Sequence, residues 1–415
     1  MKILLENALI LTDPFSELMN SKVLIEDGKI TKIGDFTDQQ VDERHDFTGK
    51  LIMPGLVNSH THAAMSLMRG IAEDMNLQDW LFKKIFPIEE RLTDKDVYYG
   101  TMLSQMEMAR KGIVAYIDMY FHCDAVAQAA IDFGMKAVVT RGLTDSGSSS
   151  DNGRLRQNIE YFERWNGRDG LISVGFGPHA PYSCSLKYID QIAQVAHSLG
   201  AKVTIHLYES KNEDYPLSEL LRTSLSKCDV IFAHCVHIKE QEIDLLARPN
   251  FFVAHNPTSN LKLANGIAPI QKMINRKVQV CLGTDGAASN NTLDIFYEMR
   301  LATLLQKSTD PTNISVEQAL SMATLMGAKA SGLTTGRIEI GADADLVVLD
   351  IQKPWYLPIE KLKAHLVHSA NSADVFATMI KGKWVYYNGS YPTINESEIR
   401  RVSKEVMEKL IDIES

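Results

Sequence analysis

The sequence has no long apolar run, no paired-cysteine motif and no excess of positive charge. Apolar stretches such as 230–233 and 251–254 fall far short of the ~20 residues that a membrane-spanning helix requires. The five cysteines, at 123, 184, 228, 235 and 281, are odd in number and never form C-x-x-C. Neither a disulfide framework nor a cysteine-based zinc site follows, and reduced thiols in a cytoplasm are expected. Lysine and arginine number 43 against 52 aspartates and glutamates, a net charge of −9, and the isoelectric point is about 5.8. The broad basic footprint for nucleic acid or an anionic membrane surface is therefore missing, and a small-molecule substrate fits better. Glu6 interrupts the apolar start and no small-residue cleavage pattern follows it, so no signal peptide is expected.

Hydrophobic residues make up 45% and charged residues 23% of the 415 positions, which is ordinary for a globular chain and excludes disorder. At roughly 150 residues per domain the length corresponds to two or three domains, although one α/β barrel absorbs about 250. Residues 1–54 and 338–395 read as short strands and turns, with Asp27-Gly28 and Gly382 at hairpin positions. Between them, short apolar β-type runs alternate with helical patterns. Candidate strands cover 55–59, 113–119, 136–140, 172–177, 202–207, 230–233, 251–254 and 278–283. Eight parallel strands favour an α/β fold of the (β/α)8 TIM-barrel type over 55–337, since eight is the number that closes. The two ends then combine into one small β-sandwich domain, and 396–415 forms a terminal helix. The only low-complexity stretch is the serine-rich loop at 146–150.

His60-Thr61-His62 follows the first candidate strand, and residues two apart in an extended chain point to one side. The pair is a weak signal by itself. However, His179, His206, His234 and Asp285 fall at the ends of strands four, five, six and eight. In a barrel these ends open on one face, where the active site is built. A bland core gives no reason to gather five histidines and an aspartate there, so a metal centre is expected. Glu209 lies three residues beyond His206, placed to move protons beside a metal-activated water.

With the segments Pro54-Gly55-Leu56-Val57-Asn58-Ser59-His60-Thr61-His62, 206–209 and Gly283-Thr284-Asp285-Gly286, the chain resembles the amidohydrolase superfamily over nearly its whole length. The resemblance implies a metal-dependent aminohydrolase with His60, His62, His206 and Asp285 as ligands. His179 stands where two-metal members carry a bridging carboxylated lysine, which implies one divalent ion per subunit. Zinc suits the donor set, with Fe(II) and Mn(II) as alternatives. The resemblance further implies that Glu209 carries the proton from water to N1 of the base. His234 orients the hydroxide and Asp285 accepts its remaining proton.

Within the superfamily the resemblance is to the 5-methylthioadenosine/S-adenosylhomocysteine deaminases. It is carried by Trp80, Phe86-Pro87-Ile88-Glu89-Glu90, Arg141, Arg154, His179 and the segment 284–291. It implies hydrolytic deamination of these nucleosides, with adenosine as a further candidate, to the inosine analogues and ammonia. Trp80 offers a face for a ring or thioether. Glu89 can accept two hydrogen bonds from a ribose diol. His179 can bond a purine ring nitrogen, and Arg141 and Arg154 can fork onto a carboxylate. Ser289 is placed near the base, and His255 to Asn260 is read as scaffolding. A deaminase or chlorohydrolase of guanine, cytosine or a triazine stays open, as do a metal-free scaffold relative and a homo-oligomer in which Arg154 serves a neighbouring subunit.

Overall fold

A computed structural model describes residues 1–37, 40–145 and 153–411. The serine-rich stretch 146–150 and the last part of the expected terminal helix, 412–415, lie outside the described residues. The eight barrel strands are Leu56–Thr61, Ile113–Tyr120, Lys136–Leu143, Ile172–Pro178, Val203–Leu207, Val230–His234, Phe251–His255 and Gln279–Leu282. They form one sheet in sequence order, each parallel to the next. Strands one, two, five, six and seven are buried at every residue. Their near-continuous apolar character follows, because helices cover the outer face of a parallel sheet while side chains fill the inside. The last strand returns to the first, where the amides of Thr284 and Asp285 donate to the His60 carbonyl at 3.2 and 3.0 Å.

Helices close the units with ordinary end signals. Asp94–Arg110 begins with a reciprocal capping box between Thr93 and Asp96. Leu186–Leu199 is capped by Ser185 and stops at Gly200 in the left-handed region. Among the described residues no helix is long and apolar enough to cross a membrane.

Both chain ends build a second eight-stranded sheet. Leu346–Asp350 pairs antiparallel with Lys50–Pro54, which pairs with Lys2–Ile10. One apolar cluster gathers Val23 and Ile30 from one side of this sheet with Ala377 and Met379 from the other. The two hairpin turns meet at Gly28 and Gly382, both at positive φ. A Cβ on Gly28 would lie 2.6 Å from the Lys381 carbonyl oxygen, so each turn needs its glycine. Within 338–395, Tyr356, Leu362, Leu366 and Val367 pack into the barrel's apolar cluster, not into the sheet's. Ile399, Val402, Val406 and Leu410 of the helix Glu396–Ile411 do the same.

Lys136, at the start of barrel strand three and 0% exposed, joins the two units. Its ammonium donates to Thr334 O at 2.9 Å, Asp343 Oδ2 at 2.8 Å and Asp345 Oδ2 at 2.5 Å. Removing one member of a buried charge cluster strands the others without compensation. Lys136→Met is therefore expected to cost about 3–5 kcal/mol of stability, read as a lowered denaturation midpoint by circular dichroism.

Candidate metal centre and substrate cavity

His60 and His62 leave strand one with ring centroids 5.0 Å apart. His206 lies 4.9 Å from His60, and His234 lies 5.5 Å from His60 and 5.4 Å from His206. Asp285 Oδ1 is 3.2 Å from His62 Nε2 and 3.7 Å from His60 Nε2. The ligand-type atoms of His60, His62 and Asp285 lie within 4.8 Å of one another, as do those of His60, His206 and His234. Backbone and side-chain acceptors hold the other ring nitrogens: His62 Nδ1 by Met119 O, His206 Nδ1 by His179 O, and His234 Nδ1 by Asn260 Oδ1. Such contacts fix the ring orientation and tautomer of a metal-ligating imidazole.

His60 is fully buried, and among the described residues neither of its ring nitrogens has a hydrogen-bond partner. Buried polar atoms normally find one. Burial also drives His60 and His206 well below the ordinary histidine range, so both are neutral and able to ligate. Asp285 is held well below the carboxylate range: burial opposes its charge, but hydrogen bonding and the field of His62 outweigh it. His62 is the exception: burial works against its charge, but the hydrogen bond to Asp285 and that carboxylate's field raise the ring to about 9, so it must give up a proton to ligate. Three imidazoles with one carboxylate then fit a divalent transition ion such as zinc. His60, His62, His206 and Asp285, the ligands expected from sequence, come together, with His234 beside them.

Asp285 is braced from behind. Its Oδ2 accepts from Ser259 Oγ at 2.6 Å and from Ser289 Oγ at 3.0 Å, while Oδ1 accepts from the Gly286 amide at 2.8 Å. Ser289, expected to approach the base, is 0% exposed and does not line the cavity; it stands behind Asp285. The first turn of the short helix Ala287–Asn290 carries it there. Residues 255–260 behave as scaffolding, since Ser259 braces Asp285 and Asn260 holds His234. Glu209 is buried, and its carboxyl is pushed up to about 7, chiefly by burial. Its Oε1 accepts from Asn265 Nδ2 at 3.2 Å, and its Oε2 lies 3.8 Å from His234 Nε2. Asn265 carries no sequence signal, because its role depends on how the loop after strand seven folds back.

The cluster floors a cavity lined by Trp80, Glu89, His179, Glu209, His234 and Asp285 among others. Trp80 opens a π-helical stretch, Trp80–Ile85, and its buried indole nitrogen has no partner among the described residues. Glu89 follows in the helix Phe86–Glu89; burial pushes its carboxyl up to about 7, and its Oε1 is unpartnered among the described residues. His179 Nδ1 lies 2.7 Å from Ser183 Oγ, and burial lowers the ring to about 4, so it is neutral. Glu89 and His179 also border an outer chamber that carries Arg141 and Arg154. Arg141 donates to Gln157 Oε1 at 3.0 Å and Arg154 to Thr144 Oγ1 at 2.6 Å. Among the described residues neither has an acidic partner. The aromatic walls Tyr120, Phe121 and Tyr182 are additions that spacing did not reveal.

Residues 51–385 match the model of the amidohydrolase family. The chain is 52% identical over 395 residues, 95% of its own length and 96% of the relative's, to the 5-methylthioadenosine/S-adenosylhomocysteine deaminase of Thermotoga maritima. It is 39% identical, over 99% of its length and 98% of the relative's, to the 5'-deoxyadenosine deaminase of Methanosarcina acetivorans. Among solved structures it superposes with a TM-score of 0.93 and 30% identity on an adenosine deaminase from Xanthomonas campestris with bound zinc. That match covers 99% of this chain and 98% of the other.

Purified protein is expected to hold about one catalytic divalent ion per chain, and a chelator should abolish activity that added metal restores. Elemental analysis should show the ion lost in His60→Ala. Full turnover by verified metal-free protein would exclude a metal centre.

Proposed function

The chain belongs to the amidohydrolase family, and on that premise we propose that it hydrolytically deaminates 5'-methylthioadenosine and S-adenosylhomocysteine to the inosine analogues and ammonia. One observation carries the substrate reading: the inner chamber with its metal-type cluster opens into an outer one holding two arginines that no described acid neutralises. Adenine enters the inner chamber. Glu89, at the junction, accepts the ribose diol, and the 5' substituent reaches outward past Trp80. A charged amino-acid tail then meets Arg141 and Arg154.

His60, His62, His206 and Asp285 would hold a divalent ion such as zinc, which would supply the Lewis acidity that brings the pKa of a water toward ~7. Glu209, with its carboxyl near 7, takes a proton from that water and delivers it to N1 of the purine. His234 Nε2, unpartnered among the described residues, directs the water oxygen at C6. Asp285 takes the remaining hydroxyl proton and passes it to the amino group, so the tetrahedral carbon collapses to the carbonyl, the C6–N bond breaks and ammonia leaves. His179 donates to a ring nitrogen from Nε2, the nitrogen not engaged by Ser183. The five cysteines are free and buried, in keeping with a cytoplasmic protein. A purine nucleoside is the partner, and a homo-oligomer is compatible with Arg154 facing the outer chamber.

Ammonia release should be fast with 5'-methylthioadenosine and S-adenosylhomocysteine and slow with adenine, guanine and cytosine; preference for a free base would sink the reading. Glu209→Gln should lower kcat by at least ~10² with bound metal near wild type. If it empties the metal site without a separate effect on turnover, Glu209 is a ligand and not a proton carrier. Arg141→Met and Arg154→Met should cost about 5- to 150-fold in kcat/KM for S-adenosylhomocysteine and little for 5'-methylthioadenosine. Equal losses for both compounds would mean that the arginines hold the fold.

A further inference from the structure

Glu209 faces two demands that pull apart. A carboxylate that carries protons must not be saturated by fixed donors, because hydrogen bonds to its charged form hold it ionised. It must nevertheless point accurately, because small misplacements of a catalytic group cost large factors in rate. Its own carboxylate shows one hydrogen bond, from Asn265. The precision must therefore come through the backbone.

That backbone is gripped by a second carboxylate. Glu213 Oε1 accepts from the amides of Glu209 at 2.8 Å and Ser210 at 3.0 Å. Its Oε2 accepts from the amide of Tyr208 at 2.9 Å and from Tyr215 Oη at 3.0 Å. Three successive amides converge because Tyr208 sits at φ +50°, in the left-handed region, an arrangement that forms an anion-binding concavity. A bulky aromatic residue resists that conformation and keeps it only where its surroundings fix it. The Tyr208 ring stacks on Tyr215 at 5.2 Å, and its hydroxyl donates to the Tyr215 carbonyl at 2.7 Å. Glu213 is 8% exposed and does not line either chamber.

We propose that Glu213 is a positioning residue that aims the Glu209 carboxylate by clamping the three amides of the turn that carries it. The proposal rests on Glu209 being the proton carrier. Glu213→Gln keeps the size but turns one accepting oxygen into a donor, so at least one of the three amide contacts becomes repulsive, while the Tyr215 hydroxyl can turn to accept.

The test measures kcat and KM for 5'-methylthioadenosine, bound metal and melting temperature in wild type, Glu213→Gln, Glu209→Gln and the double variant. Glu213→Gln should lower kcat at least ~10-fold, while KM stays within about 3-fold and bound metal is unchanged. The double variant should be no slower than Glu209→Gln, since the clamp has no proton carrier left to aim. A kcat within about 2-fold of wild type would overturn the proposal. So would a double variant slowed by the product of the two single factors. A Glu209→Gln enzyme of normal speed would instead overturn the proton-carrier reading, and this inference with it. Should Glu213→Gln fail to fold, Tyr215→Phe, which removes one donor from Oε2, decides: a smaller fall in kcat alone supports the clamp, and an unchanged kcat refutes it.

Discussion

The carbonyl of His60 is the point on which the site turns. It accepts the amides of Thr284 and Asp285, and so joins the first and last strands at the level where three of the four expected ligands stand. Side chains secure the same seam: Asn58 donates to Thr284 Oγ1 at 2.7 Å and accepts from the Thr284 amide at 3.0 Å, and Thr61 donates to Asp285 O at 2.9 Å. The approach is too close for a side chain on Gly283, whose Cβ would lie 2.3 Å from Asn256 Oδ1 and 2.9 Å from the His60 backbone nitrogen. Barrel closure and ligand geometry are thus one constraint. A seam opened by an ångström would separate His60 from Asp285 as surely as a mutated ligand.

The centre also carries strained backbone. Tyr208, His234, Cys235 and Asp285 all take positive φ without being glycine, an arrangement that costs of order 1–3 kcal/mol per residue. Each follows or ends a barrel strand, where the chain must turn sharply, and His234 and Asp285 keep their side chains in the cavity. The strain is held by contacts on both sides: Cys235 N donates to Leu207 O and His237 N to Tyr208 O, each at 2.9 Å. Neighbouring loops therefore fix one another, and the site's rigidity is a property of the ring of loops.

Much of this was legible in the sequence. The strands announced themselves because both faces of a parallel barrel are buried, which writes continuous apolar runs. The metal-type residues announced themselves because their positions at strand ends are local facts, and topology alone carries them to one face. What escaped depends on how the chain returns in space. Ser289 looked like a wall of the cavity but braces Asp285, since one helical turn decides its direction. Tyr356 and Leu362 belong by sequence position to the β-rich end, yet they pack on the barrel, because apolar side chains do not record which core they fill. The π-helical stretch at Trp80 has no propensity signature at all.

These differences follow a division within the fold. The residues expected to hold the ion stand on or shortly after strands, whereas Trp80 and Glu89 stand on short helical segments inserted after strand one and Arg154 opens the helix after strand three. Strand ends are fixed by the barrel's hydrogen bonds, so their geometry can be read from topology. Inserted segments are fixed by side-chain packing, so theirs cannot. The same division separates reaction from specificity. Changes in those helical segments can reshape the outer chamber while the seam at His60 keeps the geometry of the metal-type cluster intact. Glu89 and His179 are exceptions, because they border both chambers. On the proposed function, a change at either alters how the base sits over Glu209 as well as which 5' substituent is admitted.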